Sequence, residues 1–397
     1  MVLSALLKPF SRITSSGRFI PEIDGMRFVA IGLVVLFHLR SYSLWVRPAQ
    51  AYAINANQDW LARLTSHGYY GVQFFFVISG FILALPFAAR WLDNSRPVRL
   101  SQYYLRRVTR LEPPYILCMI GLFLWLAVFA SSWSLGTRDM TAVPTADRAA
   151  ALLPSLLASL VYQHNLIFSH ESYINFVAWS LEIEVQFYLL VPLLVVVFRV
   201  HSKLGRRTII LAVAVAVTLL QVFMESRIPI LHLTILGHLQ FFLLGFLLAD
   251  IYLADWRNRP GVNFLWDVAA LAAWVGLFLV WERNLLVLFL MPPLIMIIYM
   301  AAFRGRISNR IFRHPMVVTI GGMCYSIYLL HPFLVSRIAR FTDRFILSDY
   351  FFGQYLARMV AVVPLLLILT GIYFVLIERP CMKRDWPQRL WQKLRRS

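Results

Sequence analysis

The sequence predicts an all-α, polytopic membrane protein of about ten transmembrane helices. Three observations carry that prediction. The 397 residues are 60% hydrophobic and only 14% charged, fewer charges than a soluble chain of this length carries. Apolar runs of about 18 or more residues recur along nearly the whole chain. These runs are continuous rather than alternating with a period of two, which argues against an outer-membrane barrel.

The spans fall near 25–45, 69–89, 113–131, 176–198, 208–225, 232–253, 263–281, 285–303, 315–336 and 353–377. Lys8, Arg12 and Arg18 precede the first, as in a signal peptide. That run is long, contains Arg27 and His38 and lacks a small-residue cleavage site, so it is expected to remain as a helix. Pro113 and Pro114 mark the start of the third span, and Pro292 and Pro293 make a single break in the eighth. An eleventh apolar stretch, 150–168, contains Pro154 and follows polar residues.

Charge decides the status of that stretch. With the N-terminus inside and 150–168 uncrossed, 26 Lys and Arg lie in the cytoplasm and 10 outside, Arg27 and Arg358 being within spans. The inner clusters are then Arg90 to Arg110, Arg199 to Arg207, Arg257 and Arg259, Arg304 to Arg313, and the tail KRDWPQRLWQKLRRS. Letting 150–168 cross would export every later cluster, against the positive-inside rule. Both termini are therefore expected in the cytoplasm, with 150–168 re-entrant or lying on the outer surface.

The same placement accounts for the net charge of +19 without nucleic acid, because no basic domain stands apart from the spans. Cys118, Cys324 and Cys381 form no CxxC pair and no disulfide framework. No HExxH or EF-hand pattern occurs, and His232 and His238 do not face each other, so no metal is expected. There is no GxSxG elbow and no P-loop. Ser79 reads as a residue that packs or bonds its own helix. With no repeat and no appended soluble domain, the chain reads as a single membrane domain over 1–397, with short basic tails at 1–20 and 379–397. Its oligomeric state is not encoded in any motif.

Candidate chemistry lies in three spans. In DGMRFVAIGLVVLFHLR, His38 stands 11 residues beyond Arg27, roughly 16 Å along the helix at about 1.5 Å per residue. Arg27 is thus expected near the inner face and His38 beyond the midplane, where ionisable groups are usually functional. Glu182 and Glu184 lie in the first turns of the inward-running fourth span, and His331 lies near the outer end of the ninth. His38, Glu184 and His331 can share one depth. The plainer alternatives are an interfacial position for His331 and helix-start carboxylates favoured by the dipole for the two glutamates. In SQYYLRRVTRLEPPY, Arg106, Arg107 and Arg110 are either a bidentate phosphate site or a topology anchor on anionic membrane lipid.

Six segments, in order, resemble the membrane acyltransferase-3 family: IPEIDGMRFVAIGLVVLFHL, YYGVQFFFVISGFIL, RRVTRLEPPY, WSLEIEVQFYLLVPLL, CYSIYLLHPF and YFVLIERP. They span residues 20 to 380. The resemblance implies an integral enzyme of the cell inner membrane. Such an enzyme moves an acyl group, commonly acetyl, from cytoplasmic acyl-coenzyme A to a hydroxyl of an extracytoplasmic glycan or lipid-linked sugar. It implies that His38 is catalytic with Arg27 as its first-helix partner, that Glu184 is the acidic residue of the WSL segment, and that Arg107 and Arg110, with Arg106 beside them, bind the donor's phosphates. Gln73 departs from the pattern, which often has Asp there. On this reading His38 is a general base or an acyl carrier, and Glu184 orients its imidazole as a carboxylate does in a hydrolase triad. A transporter or flippase of a lipid-linked sugar is the competing class.

Overall fold

A computed structural model describes residues 7–13, 19–46, 60–129, 144–224, 227–256, 260–279, 285–345, 350–383 and 385–388. Arg257, Arg259 and most of the basic C-terminal tail lie outside the described residues. Within them, every regular element is helical. Seven helices are long and apolar enough to cross a membrane, eight if one bent pair counts as a span, and two shorter apolar helices accompany them.

The first half of the bundle comprises α1 (Pro21–Val46), α2 (Gly71–Leu92), α3 (Leu100–Phe129), α4 (Thr145–Leu160), α5 (Ala178–Leu194) and α6 (Lys203–Met224). The second half comprises α7 (Leu239–Ala254), α8 (Leu265–Leu279), α9 (Leu285–Arg304), α10 (Pro315–Gly322), α11 (Cys324–Thr342) and α12 (Phe351–Tyr373). Helix α1 is central and packs against α2, α10, α11 and α12. Helix α7, LQFFLLGFLLADIYLA, is apolar all round and enclosed on nearly every side, as that pattern requires. It crosses α2 at Gly80 and Gly245, where a Cβ on either residue would collide with the partner's backbone. Small residues at such a crossing let the two backbones approach closely. Leu124 and Val128 of α3, Leu219 of α6, and Val360 and Ile368 of α12 are exposed on the outside of the bundle.

Two expectations are revised, and the stretch 150–168 is given a conformation. The ninth span is broken: α10 and α11 meet at a 70° bend. Gly321 presses onto the Asp24 carbonyl of α1, leaving no room for a side chain, and the chain turns at Met323 before α11 begins. The third span does not start at its prolines, because α3 runs unbroken through Pro113 and Pro114. Arg106, Arg107 and Arg110 therefore stand on the same rod as the apolar part. Finally, residues 150–168 form α4 and a short helix, His164–Phe168. Helix α4 has 16 residues and packs along α3, where Tyr115 Oη donates to the Ser159 carbonyl at 2.9 Å.

Helix-interior prolines free a carbonyl four residues earlier, because proline has no N–H. Side chains take up several of these acceptors. Opposite Pro113, the Thr109 carbonyl accepts from Trp386 Nε1 at 2.9 Å. Opposite Pro192, the Tyr188 carbonyl accepts from Tyr103 Oη at 3.2 Å. At the end of α7, fully buried Asp250 accepts from Arg206 Nε (2.6 Å) and Arg207 Nε (2.7 Å), pinning α6 to α7.

Candidate active site

Helices α1, α2, α3, α5 and α11 line a partly open cavity of about 110 Å³. Its wall carries four guanidinium groups, from Arg12, Arg27, Arg107 and Arg110, and two carboxylates, from Glu184 and Glu378. Ser79, Ser180, Tyr188, Cys324, Tyr325 and Tyr328 complete the polar lining. Glu378 reaches the cavity from Phe374–Glu378, where the helix after α12 widens into a π turn, a distortion often found at functional sites.

Most of these charges are already matched. Asp24, buried beneath the cavity, pairs with Arg12 at 3.0 Å and with Arg27. Glu184 accepts from Ser79 Oγ at 2.7 Å, and Tyr188, one turn on, lines the same wall. Glu378 accepts from the Ser326 backbone N–H at 3.0 Å and from its hydroxyl at 2.5 Å. Among the described residues, Arg107 and Arg110 pair with no carboxylate, and their Nε atoms are sealed from solvent without a hydrogen-bond partner. Arg107 lies over the Tyr188 ring at 5.8 Å. A half-buried cation without a paired acid is costly to desolvate, and an anion is the kind of ligand that would offset that cost. Arg106, a third of a turn from Arg107 around α3, does not line the cavity.

The histidines are at the other end of α1. His331 is fully buried, and its Nε2 lies 3.1 Å from His38 Nδ1. His38 Nδ1 is also 2.9 Å from the Val34 carbonyl, and His331 Nδ1 is 2.8 Å from the Tyr328 carbonyl. Tyr328, three residues before His331, lines the cavity. The histidine pair thus sits roughly 4.5 Å beyond the cavity wall, at about 1.5 Å per residue. Aromatic rings lie between: Phe75 meets Tyr328 edge-on at 5.9 Å, and Phe176 meets His38 at 5.2 Å.

The structure therefore brings Arg27, Glu184, Arg107 and Arg110 together, and joins His38 to His331 instead of to Glu184. Glu184 projects from α5 toward Ser79 of α2, inward of the histidines, so the expected carboxylate–imidazole bond is not made. Ser79 does not bond its own helix; its hydroxyl serves Glu184. Arg27 shares a helix with His38 but belongs to the cavity. Glu182, two residues from Glu184, points elsewhere and accepts from the Asn165 backbone N–H at 2.9 Å. Gln73 directs its amide to the Tyr69 and Tyr70 carbonyls, at 3.0 and 3.1 Å, bracing the turn before α2.

Several cavity residues escaped sequence reasoning. Arg12 comes from the segment before α1 and was counted only toward topology. Asp24 carried no signal beyond its place at a helix start. Glu378 did carry one, as a lone carboxylate closing a long apolar run.

Residues 20–378 match the acyltransferase-3 family, described as an acyltransferase domain. Among relatives, the O-acetyltransferase OatA of Staphylococcus aureus is 25% identical over 412 residues, covering 96% of this chain and 60% of its own length. The peptidoglycan O-acetyltransferase OatA of Listeria monocytogenes is 26% identical over 193 residues, covering 46% of this chain and 25% of its own. The chain thus spans about 60% of the length of the curated relative that it matches end to end. No solved structure matches. With the match running through almost the whole bundle, the chain belongs to the acyltransferase-3 family of membrane acyltransferase domains.

Proposed function

We propose that this chain is a multi-pass inner-membrane O-acyltransferase. It moves an acyl group, acetyl in the first instance, from acyl-coenzyme A to a sugar hydroxyl of an extracytoplasmic polysaccharide or lipid-linked glycan. The observation that carries the reading is the unpaired couple Arg107 and Arg110, in a cavity whose far wall, Tyr328, lies one turn from the His38–His331 pair. The relatives named O-acetyltransferases support acetyl as the group and a glycan as the acceptor.

In this reading the chain is one domain with ten spans and both termini in the cytoplasm, the bent α10–α11 pair and the short α7 and α8 counting among the spans. The cavity then faces the cytoplasm, and donor phosphates lie against Arg107 and Arg110. Arg27 adds positive charge behind them, and Glu184 with Ser79 and Tyr188 forms the polar wall along the donor's arm. Both serve the donor rather than the histidine. The arm reaches past Tyr328 to His38. There the imidazole accepts the acceptor's hydroxyl proton while that oxygen attacks the thioester carbonyl carbon. A C–O bond forms and the C–S bond breaks. The leaving thiolate takes the proton back from the imidazolium, restoring neutral histidine and free thiol.

The test compares surface glycans from three strains: one lacking the protein, one restored with it, and one restored with His38→Ala at matched membrane abundance. Proton NMR before and after mild alkali reads ester-linked acyl groups. The expected result is an alkali-labile signal restored by the native protein alone. Equal restoration by His38→Ala would overturn the assigned base, and no ester in any strain would overturn glycan acylation.

A further inference from the structure

Pro332 follows His331 inside α11. It has no N–H, so the Tyr328 carbonyl lacks its usual donor four residues on. The bundle fills two other such gaps with side chains, Trp386 opposite Pro113 and Tyr103 opposite Pro192. Here His331 Nδ1 lies 2.8 Å from that carbonyl. A carbonyl oxygen only accepts, so His331 Nδ1 must carry the proton. In neutral His331, Nε2 is then a bare lone pair. That lone pair lies 3.1 Å from His38 Nδ1, and the Val34 carbonyl, 2.9 Å away, asks the same of that nitrogen. Both neighbours of His38 Nδ1 are acceptors.

We infer that His331, with its tautomer set by Pro332, is a positioning residue that protonates His38 at Nδ1 and leaves Nε2 as the unprotonated nitrogen that takes the acceptor's proton. The second shell of a histidine commonly decides which ring nitrogen reacts. What differs here is that the orienting group is a second neutral imidazole, whose own state is written into the backbone by a proline. His331 is fully buried, whereas His38 is only partly so, which suits one as the brace and the other as the reacting group. The inference rests on His38 being the base, and it adds which nitrogen acts and why.

Nitrogen NMR on detergent-solubilised full-length protein with ¹⁵N-histidine reads the tautomers directly, whether or not turnover is found. The His38 signals are assigned by their loss in His38→Ala. The expected pattern is a protonated Nδ1 and a bare Nε2 on both His38 and His331. His331→Phe keeps the ring and removes both nitrogens. One net hydrogen bond then predicts a fall of roughly two- to twelvefold in kcat, with donor KM unchanged and the His38 signals moving toward the other tautomer. His331→Gln keeps an acceptor for His38 and a donor for Tyr328, and is expected within about threefold of the native rate. Pro332→Ala restores the backbone N–H and favours the helix, so it is expected to fold. It offers Tyr328 a competing donor and is expected to mix the His331 tautomers. A native His38 protonated at Nε2 would overturn the inference, as would a His331→Phe protein with native kcat. An unaltered tautomer pattern in both His331→Phe and Pro332→Ala would also overturn it. If His38→Ala itself keeps native activity, the base assignment fails separately.

Discussion

Arg110→Ala should weaken donor binding in a way that depends on the donor's phosphates. The Arg110 guanidinium has no carboxylate partner among the described residues, and its Nε is sealed from solvent and unbonded. Its binding capacity is thus unspent. A charge-assisted hydrogen bond of the guanidinium–phosphate kind contributes about 1.5–3 kcal/mol. At about 1.4 kcal/mol per tenfold, losing one such bond raises donor KM roughly 10- to 150-fold while kcat changes little. Arg110→Lys keeps the charge and loses the planar fork, so it should fall between. Arg107 stands three residues away on the same helix, and the double alanine variant should cost less than the sum of the singles, because both groups serve one ligand.

The assay is thiol release from acetyl-coenzyme A by purified protein, run in parallel with S-acetyl-pantetheine, which has no phosphate. The Arg110→Ala penalty should vanish with the second donor. An equal penalty on both donors would mean that the substitution acts through the fold. No penalty on acetyl-coenzyme A would refute the anion-receptor reasoning outright.

Three further substitutions test the architecture, each read by thermal or SDS unfolding of purified protein. Gly80→Ala forces a methyl into the Phe242 backbone of α7, and overpacking there should cost about 1–3 kcal/mol or more; unchanged stability would show that the α2–α7 crossing is looser than described. Asp250→Ala strands Arg206, which is only 2% exposed, and should cost about 3–5 kcal/mol, whereas a surface substitution such as Leu204→Ala should cost almost nothing. Trp386→Phe keeps the ring but leaves the Thr109 carbonyl without the indole donor. It should cost about 1–3 kcal/mol, and this loss should disappear when Pro113→Ala restores the backbone N–H.

The helical class and the spacing of the ionisable residues on α1 and α3 were legible because they are properties of single segments. Continuous apolar runs announce membrane helices. A fixed spacing such as Arg27 to His38 or Arg107 to Arg110 converts directly into separation along a rod. Which residues meet across helices was not legible, since depth alone cannot distinguish neighbours. Glu184 and His38 could be placed in similar layers, yet Glu184 turns to Ser79 and His38 to His331. The bend at Met323 was hidden because it depends on how closely Gly321 meets the Asp24 backbone. The prolines misled in the other direction. Pro113 and Pro114 look like the end of a basic loop until Trp386 is seen compensating the carbonyl freed by Pro113 in an unbroken helix.

The three turns between Arg27 and His38 also make chemical sense on the proposed reading. A guanidinium beside an imidazole would disfavour the imidazolium that a general base must become. At roughly 16 Å along α1 the arginines can hold anionic phosphate without that penalty, and Asp24 takes up Arg27's charge at its own end. Between the two ends stand the rings of Phe75, Tyr328 and Phe176. On the proposed reading a thioester brought to that point meets the acceptor's hydroxyl beside aromatic rings, a setting that favours transfer over hydrolysis. Length and aromatic packing thus do in one membrane helix what separate binding and catalytic loops do in a soluble enzyme. On that reading, the length of α1 keeps the charge that draws in the donor away from the charge that forms on His38 during reaction.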